Sequence, residues 1–253
     1  MDGLATWVIN LDRATDRLAR INRQLVALGI PYTRLAAVDA KSLSPAQRAE
    51  FDEPAYRRKH GMAPVPGEIG CYLSHVEVVR AFVASEARFA LVFEDDALLH
   101  DSLPAVLHAL IAHPGRWDMV KLSAVHSGTP VPVLDLVAGH QLAVMLSRCT
   151  GASAYLINRR AADAYLRSAG GLLPMQLPYD HVFDRGWDLG LKVRLVTPTP
   201  CTHDAQIATT IEMPRASRKF HWTRRLPAFG WRLGSEMQRV TYGLKHAVLE
   251  RLG

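Results

Sequence analysis

Residues 6–39 limit the fold more than any other part of the chain. Thr6-Trp7-Val8-Ile9-Asn10-Leu11 reads as a strand, and a helix from Thr15 to about Leu28 follows at once. Leu18, Ile21, Leu25 and Leu28 recur at the spacing of one helical face. Gly29 stands where a C-terminal cap belongs, with Pro31 just after it. Tyr32 to Val38 then reads as a second strand that ends at Asp39. Strand, helix and strand in so short a span open an α/β domain, and a mostly parallel central sheet is expected.

The stretch FALVFEDDALLH, residues 89–100, sets a harder condition. Phe89 to Phe93 is a short apolar run of the kind that forms a strand buried on both faces, yet it runs straight into Glu94, Asp95 and Asp96. Adjacent carboxylates repel, and each is costly to bury unpaired. In α/β sheets, ligands bind beyond the carboxyl ends of the strands. Asn10-Leu11-Asp12-Arg13, Asp39 and the three acids all fall at such ends and are expected on one edge. Hard oxygen ligands suit Mg²⁺ or Mn²⁺, which can bridge the phosphates of a nucleotide. The structural alternative is three solvated acids in a loop.

Further along, residues 41–66 read as a polar loop with a short helix in it, and residues 67–87 as a helix with Tyr72, Val76, Val79 and Val83 inward. A helix over Ser102 to His113 precedes a strand over Met119 to Ser123. Residues 125–140 look like a Gly- and Pro-rich loop, and Leu142 to Leu146 and Ala152 to Ile157 like strands. Asn158 is placed to cap a helix through about Arg167. A helix near Tyr179 to Trp187 and a strand over Lys192 to Val196 follow. At 49% hydrophobic and 21% charged, the chain can bury a core. Its three cysteines, Cys71, Cys149 and Cys201, lack metal-ligand spacing and are expected as free thiols in a reducing, cytoplasmic compartment. No signal peptide and no apolar stretch long enough to span a bilayer is read in it.

Charge divides the chain at about residue 214. Residues 215–253 carry nine Lys and Arg against two acids, whereas residues 1–214 are balanced at 21 against 22. A body domain over 1–214 and a basic amphipathic helical tail over 215–253 are therefore expected, without the basic body face of a nucleic-acid binder. In the tail, Leu233, Met237, Val240, Leu244 and Val248 form an apolar stripe flanked by Arg232, Arg239 and Lys245. Such a helix either lies on an anionic membrane surface or packs its stripe on the domain and leaves a solvated basic face.

Five ordered strings, WVINLDRATDR, IPYTRLAAVDA, GEIGCYLSH, ALVFEDD and TGASAYLINRRAA, resemble glycosyltransferase family 25, the group of lipopolysaccharide and collagen galactosyltransferase-like enzymes. The resemblance runs over roughly residues 5–211 and implies a GT-A-like nucleotide-sugar-binding sandwich. It implies inverting, metal-dependent transfer of a sugar, galactose above others, from a UDP-sugar to a lipopolysaccharide- or lipooligosaccharide-type glycan. Glu94-Asp95-Asp96 would then be the DXD-like site for Mn²⁺ or Mg²⁺, with Asp96 the foremost metal contact, Glu94 in support and Asp95 reaching ribose or metal. Asn10, Asp12, Arg13 and Arg17 would help bind the nucleotide, the arginines at phosphate, and Asp39 would accept from ribose or uracil. The structural alternatives are a charged helix face, helix capping by Asp12 or Thr15, and a plain loop acid.

Inverting displacement also needs a base for the acceptor hydroxyl. Asp180, in Pro178-Tyr179-Asp180-His181, is the candidate; helix capping and sugar binding are its alternatives. Glu68 joins the donor-binding candidates, though it also suits the positive end of a helix dipole. His203 is a candidate late metal ligand, and Gln206 with Thr209-Thr210-Ile211 matches a family element. His75 is expected buried or lining the donor site. Arg57-Arg58-Lys59-His60 could meet phosphates but suits solvent equally. Two other classes remain open. One is a non-catalytic glycan- or partner-binding module on this fold. The other is a metal-dependent phosphoryl or nucleotidyl transferase, which lacks a Walker-type loop here. A transferase at the inner face of the cytoplasmic membrane would use the basic tail as its anchor.

Overall fold

The computed structural model describes residues 3–151, 153–167, 169–203 and 220–252. The opening unit is as its pattern predicts: β1 (Leu4–Asn10), α1 (Thr15–Ala27) and β2 (Thr33–Ala36), with β1 and β2 parallel. A 3₁₀ turn at Ala40–Ser42 leads to α2 (Pro45–Ala49), α3 (Glu53–His60) and α4 (Pro66–Ala84), so the segment read as a loop with one short helix holds two. β3 (Phe89–Glu94) and β4 (Ala97–Leu99) flank the acid cluster. Next come α5 (Leu103–Ala112), β5 (Met119–Lys121), β6 (Pro130–Asp135), β7 (Gln141–Met145), β8 (Ala154–Asn158) and α6 (Arg159–Arg167). Asn158 does cap α6, its Oδ1 accepting from the Ala161 N–H at 2.9 Å. The chain continues through α7 (Tyr179–Phe183), α8 (Gly186–Leu189), β9 (Val193–Thr197), β10 (Cys201–His203) and the long α9 (Leu226–Leu252).

Eight strands form one sheet in the order β2-β1-β3-β8-β5-β9-β7-β6, and β4 pairs with β10 apart from it. Parallel pairing holds for β2, β1 and β3 and again for β5 with β9; the remaining neighbours are antiparallel. The α/β sandwich is thus built on a mixed sheet whose parallel part carries the strand ends of interest. Residues 125–140, read as a loop, contain the edge strand β6. Pro130 and Pro132 hide it in the sequence, and a sheet edge is where proline is tolerated.

The apolar run before the acids is buried on both faces, as its continuity requires. Ala90 and Val92 join Trp7, Ile9 and the inner face of α4 in one core. Phe89, Leu91 and Phe93 alternate to the other side and meet Val8, Ile21 and Leu25. Gly70 in α4 sits so close to the turn after β2 that a Cβ there would fall 2.6 Å from the Val38 carbonyl oxygen. That approach brings the start of α4 over the ends of β1 and β2.

Of the two arrangements open to the C-terminal helix, packing of the stripe on the domain is not the one found. Its stripe of Leu233, Met237, Val240, Leu244 and Val248 faces outward, while Ala228, Ser235, Arg239 and Ala247 are buried against the body. Among the described residues, no helix is long and apolar enough to cross a membrane. The boundary expected at residue 214 lies outside the described residues.

Candidate functional site

A cleft of about 390 Å³ opens where β1, β2 and β3 end. Asn10, Arg13, Arg17, Asp39, Glu94, Asp95 and Asp96 line it together. Seven of the eleven candidate site residues, scattered over residues 10–96, are thus gathered at one edge, as the strand-end argument predicts. Lys41, Cys71 and Ser74 line it as well.

The three adjacent acids take three different roles. Oε1 of Glu94 accepts from the Tyr179 hydroxyl at 2.5 Å, meets Nε2 of His75 at 3.1 Å and lies 3.5 Å from the Cys71 thiol. Burial opposes its ionisation, but the hydrogen bond and charge of His75, then Tyr179 and Cys71, hold its carboxyl below the usual range. Asp95 is tied to the first strand and helix: Oδ2 accepts from Nδ2 of Asn10 at 2.7 Å and Oδ1 lies 3.3 Å from the Arg17 guanidinium. Asp96 keeps a buried Oδ1 with no hydrogen-bond partner among the described residues. Burial, and then the charges of Glu94 and Asp95, push its carboxyl up to about 7. A buried, partnerless carboxyl oxygen beside two other acids fits a divalent cation; Asp96 is the residue open to hold one.

On the facing side, Asp39 is a turn residue whose Oδ1 accepts from the Lys41 N–H at 3.1 Å, and its Oδ2 pairs with Arg13. The backbone bond from Lys41, and then Arg13, hold its carboxyl below the usual range. Arg13, Arg17 and Lys41 give the cleft three cations, enough to meet a diphosphate.

Other candidates lie off the cleft. Asp12 points to solvent and pairs with Arg34, and α1 has no side-chain cap, so neither Asp12 nor Thr15 caps it. Glu68 takes the Tyr56 hydroxyl at 2.9 Å on its Oε2, in the first turn of α4 between two glycines that line the cleft. His203 is exposed on β10, directly opposite Ala97 and so one residue from Asp96. Asp180 sits in the first turn of α7, where Pro178 is the cap position. Its Oδ2 accepts from the Gly151 N–H at 2.9 Å and its Oδ1 from the His181 N–H at 3.0 Å. Burial works against ionisation there, yet the His181 and Lys121 charges and these two backbone bonds hold the carboxyl below its ordinary value. In the basic run, Arg57 and Arg58 are exposed, Arg57 pairing with Glu53, while Lys59 bonds to Gln176 and His60 is buried; none of the four lines the cleft. Gln206 and Thr209-Thr210-Ile211 lie outside the described residues.

Tyr179, like Lys41, is a residue of the site that the sequence does not single out. Its ring stacks on fully buried His75 with centroids 3.9 Å apart and planes at 17°, while its hydroxyl holds Glu94. The only signal was its position beside Asp180.

Residues 4–129 match the family model described as Glycosyltransferase family 25 (LPS biosynthesis protein). Procollagen galactosyltransferase 1-A of Xenopus laevis is 31% identical over 182 residues, which cover 69% of this chain and 29% of that protein. Procollagen galactosyltransferase 2 of Mus musculus is 37% identical over 122 residues, 45% of this chain and 20% of that one. The chain spans less than a third of the length of these relatives. Among solved structures, a glycosyltransferase involved in the glycosylation of the major capsid of PBCV-1 aligns over 91% of this chain and 98% of its own. Its TM-score is 0.42 and its sequence identity 7%.

Proposed function

We propose, from the premise that residues 4–129 belong to glycosyltransferase family 25, that this chain is an inverting hexosyltransferase using a UDP-sugar. The observation that carries this reading is Asp96, with its partnerless buried Oδ1 in a cleft shared with Arg13, Arg17 and Lys41. That pairing of one open acid with three cations suits a metal-bound diphosphate better than it suits a neutral glycan alone. Galactose is the sugar we infer, since the relatives are named for its transfer. The family description, which refers to lipopolysaccharide biosynthesis, supports a lipopolysaccharide- or lipooligosaccharide-type acceptor. The inner face of the cytoplasmic membrane is the location that this reading assigns to the reaction.

In this reading Asp96 would hold Mn²⁺ or Mg²⁺, and His203, opposite Ala97 on β10, is the proposed late ligand. The cation, when bound, supplies Lewis-acid stabilisation to the leaving diphosphate. Arg17 and Asn10 orient Asp95 for ribose or metal, and Arg13 and Lys41 meet phosphate charge. Asp39 is then released from Arg13 to accept from ribose or uracil. Asp12 and Glu68 act on the nucleotide only through the loop and helix start that they brace. Asp180 is the proposed base for the acceptor hydroxyl. It follows Tyr179, which is bonded to the cleft acid Glu94. Burial, and then Glu94, raise the thiol of cleft-lining Cys71, and the charge of Asp180 adds to them.

The test is UDP release from UDP-galactose with Mn²⁺, alongside a thermal-shift screen of other UDP-sugars. Release that requires Asp96 and a divalent cation supports the reading. No stabilisation by any UDP-sugar and no release would overturn it.

A further inference from the structure

The C-terminal helix α9 wears its apolar stripe on the outside. Leu233, Met237, Val240, Leu244 and Val248 are 40–67% exposed, and Leu226 and Phe229 extend the row at one end. Together they form a continuous line on a helix of about 40 Å. Monomeric proteins rarely leave so long an apolar row open unless something covers it.

The charges on α9 are sorted against the usual pattern. Both of its acids are committed to the body or to their own helix. Glu236 pairs with Arg148 and Arg239, and Glu250 with Arg116, Arg194 and Lys192. Arg239 is buried and Arg232 donates to the His60 carbonyl. What stays exposed beside the stripe is Lys245 and Arg251, with Trp222 exposed in the turn before the helix. The outer face is therefore apolar and cationic, with no exposed acid among its described residues.

We propose that this face of α9 seats the protein on an anionic bilayer surface, with the stripe in the acyl boundary and Lys245 and Arg251 at the headgroups. The charge complementarity selects lipid as the occupant. A second copy of the chain is a poorer fit. The stripe steps by 3, 4, 4, 3, 4 and 4 residues from Leu226 to Val248, not by the 3-4 alternation that two helices need to wind a left-handed seam. The inference rests on the helix alone and stands whether or not the cleft transfers a sugar.

The test uses the full chain, because α9 carries buried ion pairs that deletion would break. Flotation is measured with vesicles of equal parts phosphatidylglycerol and phosphatidylcholine, and with phosphatidylcholine alone. The protein is expected to float with the anionic vesicles and far less with the neutral ones. The variant M237E/L244E changes two exposed side chains, so its melting curve should match the parent while its vesicle affinity falls about tenfold or more. Absence of flotation with anionic vesicles, or equal flotation of the double variant, overturns the proposal. So does a dimer in solution that M237E/L244E dissolves while vesicle binding is nil, which would assign the face to a second copy.

Discussion

The hydroxyl of Tyr179 donates a 2.5 Å hydrogen bond to Oε1 of Glu94, joining α7 to the end of β3 across 85 residues of sequence. This bond decides how the acid cluster divides its work. Glu94 is held by Tyr179 and His75, and Asp95 by Asn10 and Arg17, which leaves Asp96 as the acid without a partner on Oδ1.

Tyr179→Phe keeps the ring against His75 and removes only the hydroxyl. A hydrogen bond to a charged group contributes about 1.5–3 kcal/mol, so unfolding in urea should come at that much lower stability. The Glu94 carboxyl should titrate higher, and release from UDP-galactose should fall. Unchanged stability would mean that His75 alone fixes Glu94.

Asp96 sets a pH dependence whose sign is fixed. Its folded carboxyl titrates at about 7 against an ordinary value of 3.8, so between these values the folded chain binds more protons than the unfolded one. Its contribution to stability is fully present below about pH 4 and is lost as pH rises through about 7. A divalent cation bound at Asp96 would compete with the same proton, so on the proposed reading Mn²⁺ should raise the melting temperature more at about pH 8 than at about pH 6. Asp96→Asn should flatten both trends, and a Mn²⁺ shift that survives the substitution would place the metal elsewhere.

The parts of this molecule that sequence reveals are those governed by local period. β1, α1 and β3 follow from apolar spacing, and the gathering of Asn10, Asp39 and Glu94 follows from their shared place at strand ends. What stays hidden depends on distant partners. Tyr179 gains its role from His75 and Glu94, and β6 is a strand only because β7 pairs with it. The stripe on α9 was legible, but the side that docks was not. Buried pairs such as Arg239 with Asp184 turn the polar face inward, and no helical periodicity encodes that choice.

Gly70→Ala tests the close approach that shapes the cleft. The new methyl would meet the Val38 carbonyl oxygen at 2.6 Å, and Val38 is also held by Ser74, whose Oγ accepts its N–H at 2.8 Å. Neither backbone segment can yield without moving the cleft wall. A loss of about 1–3 kcal/mol in urea unfolding is expected, together with weaker UDP-sugar stabilisation. A variant with parental stability and binding would show that the α4 start is free to shift.

The pair of Arg239 and Asp184 anchors α9 to α7, and both side chains are almost wholly buried. Burial pushes the Asp184 carboxyl up despite Lys121 and Arg239, and its Oδ1 lacks a partner among the described residues. Arg239→Met strands a buried carboxylate and should cost about 3–5 kcal/mol. Without the guanidinium the carboxyl titrates higher still, so the deficit should shrink as pH falls and Asp184 takes a proton. D184N/R239M should recover most of the loss at neutral pH, because the stranded charge is gone. If the double variant is as unstable as R239M, the helix is held by the packing of the arginine stem and not by its charge, and a urea series at two pH values on the three proteins separates these outcomes.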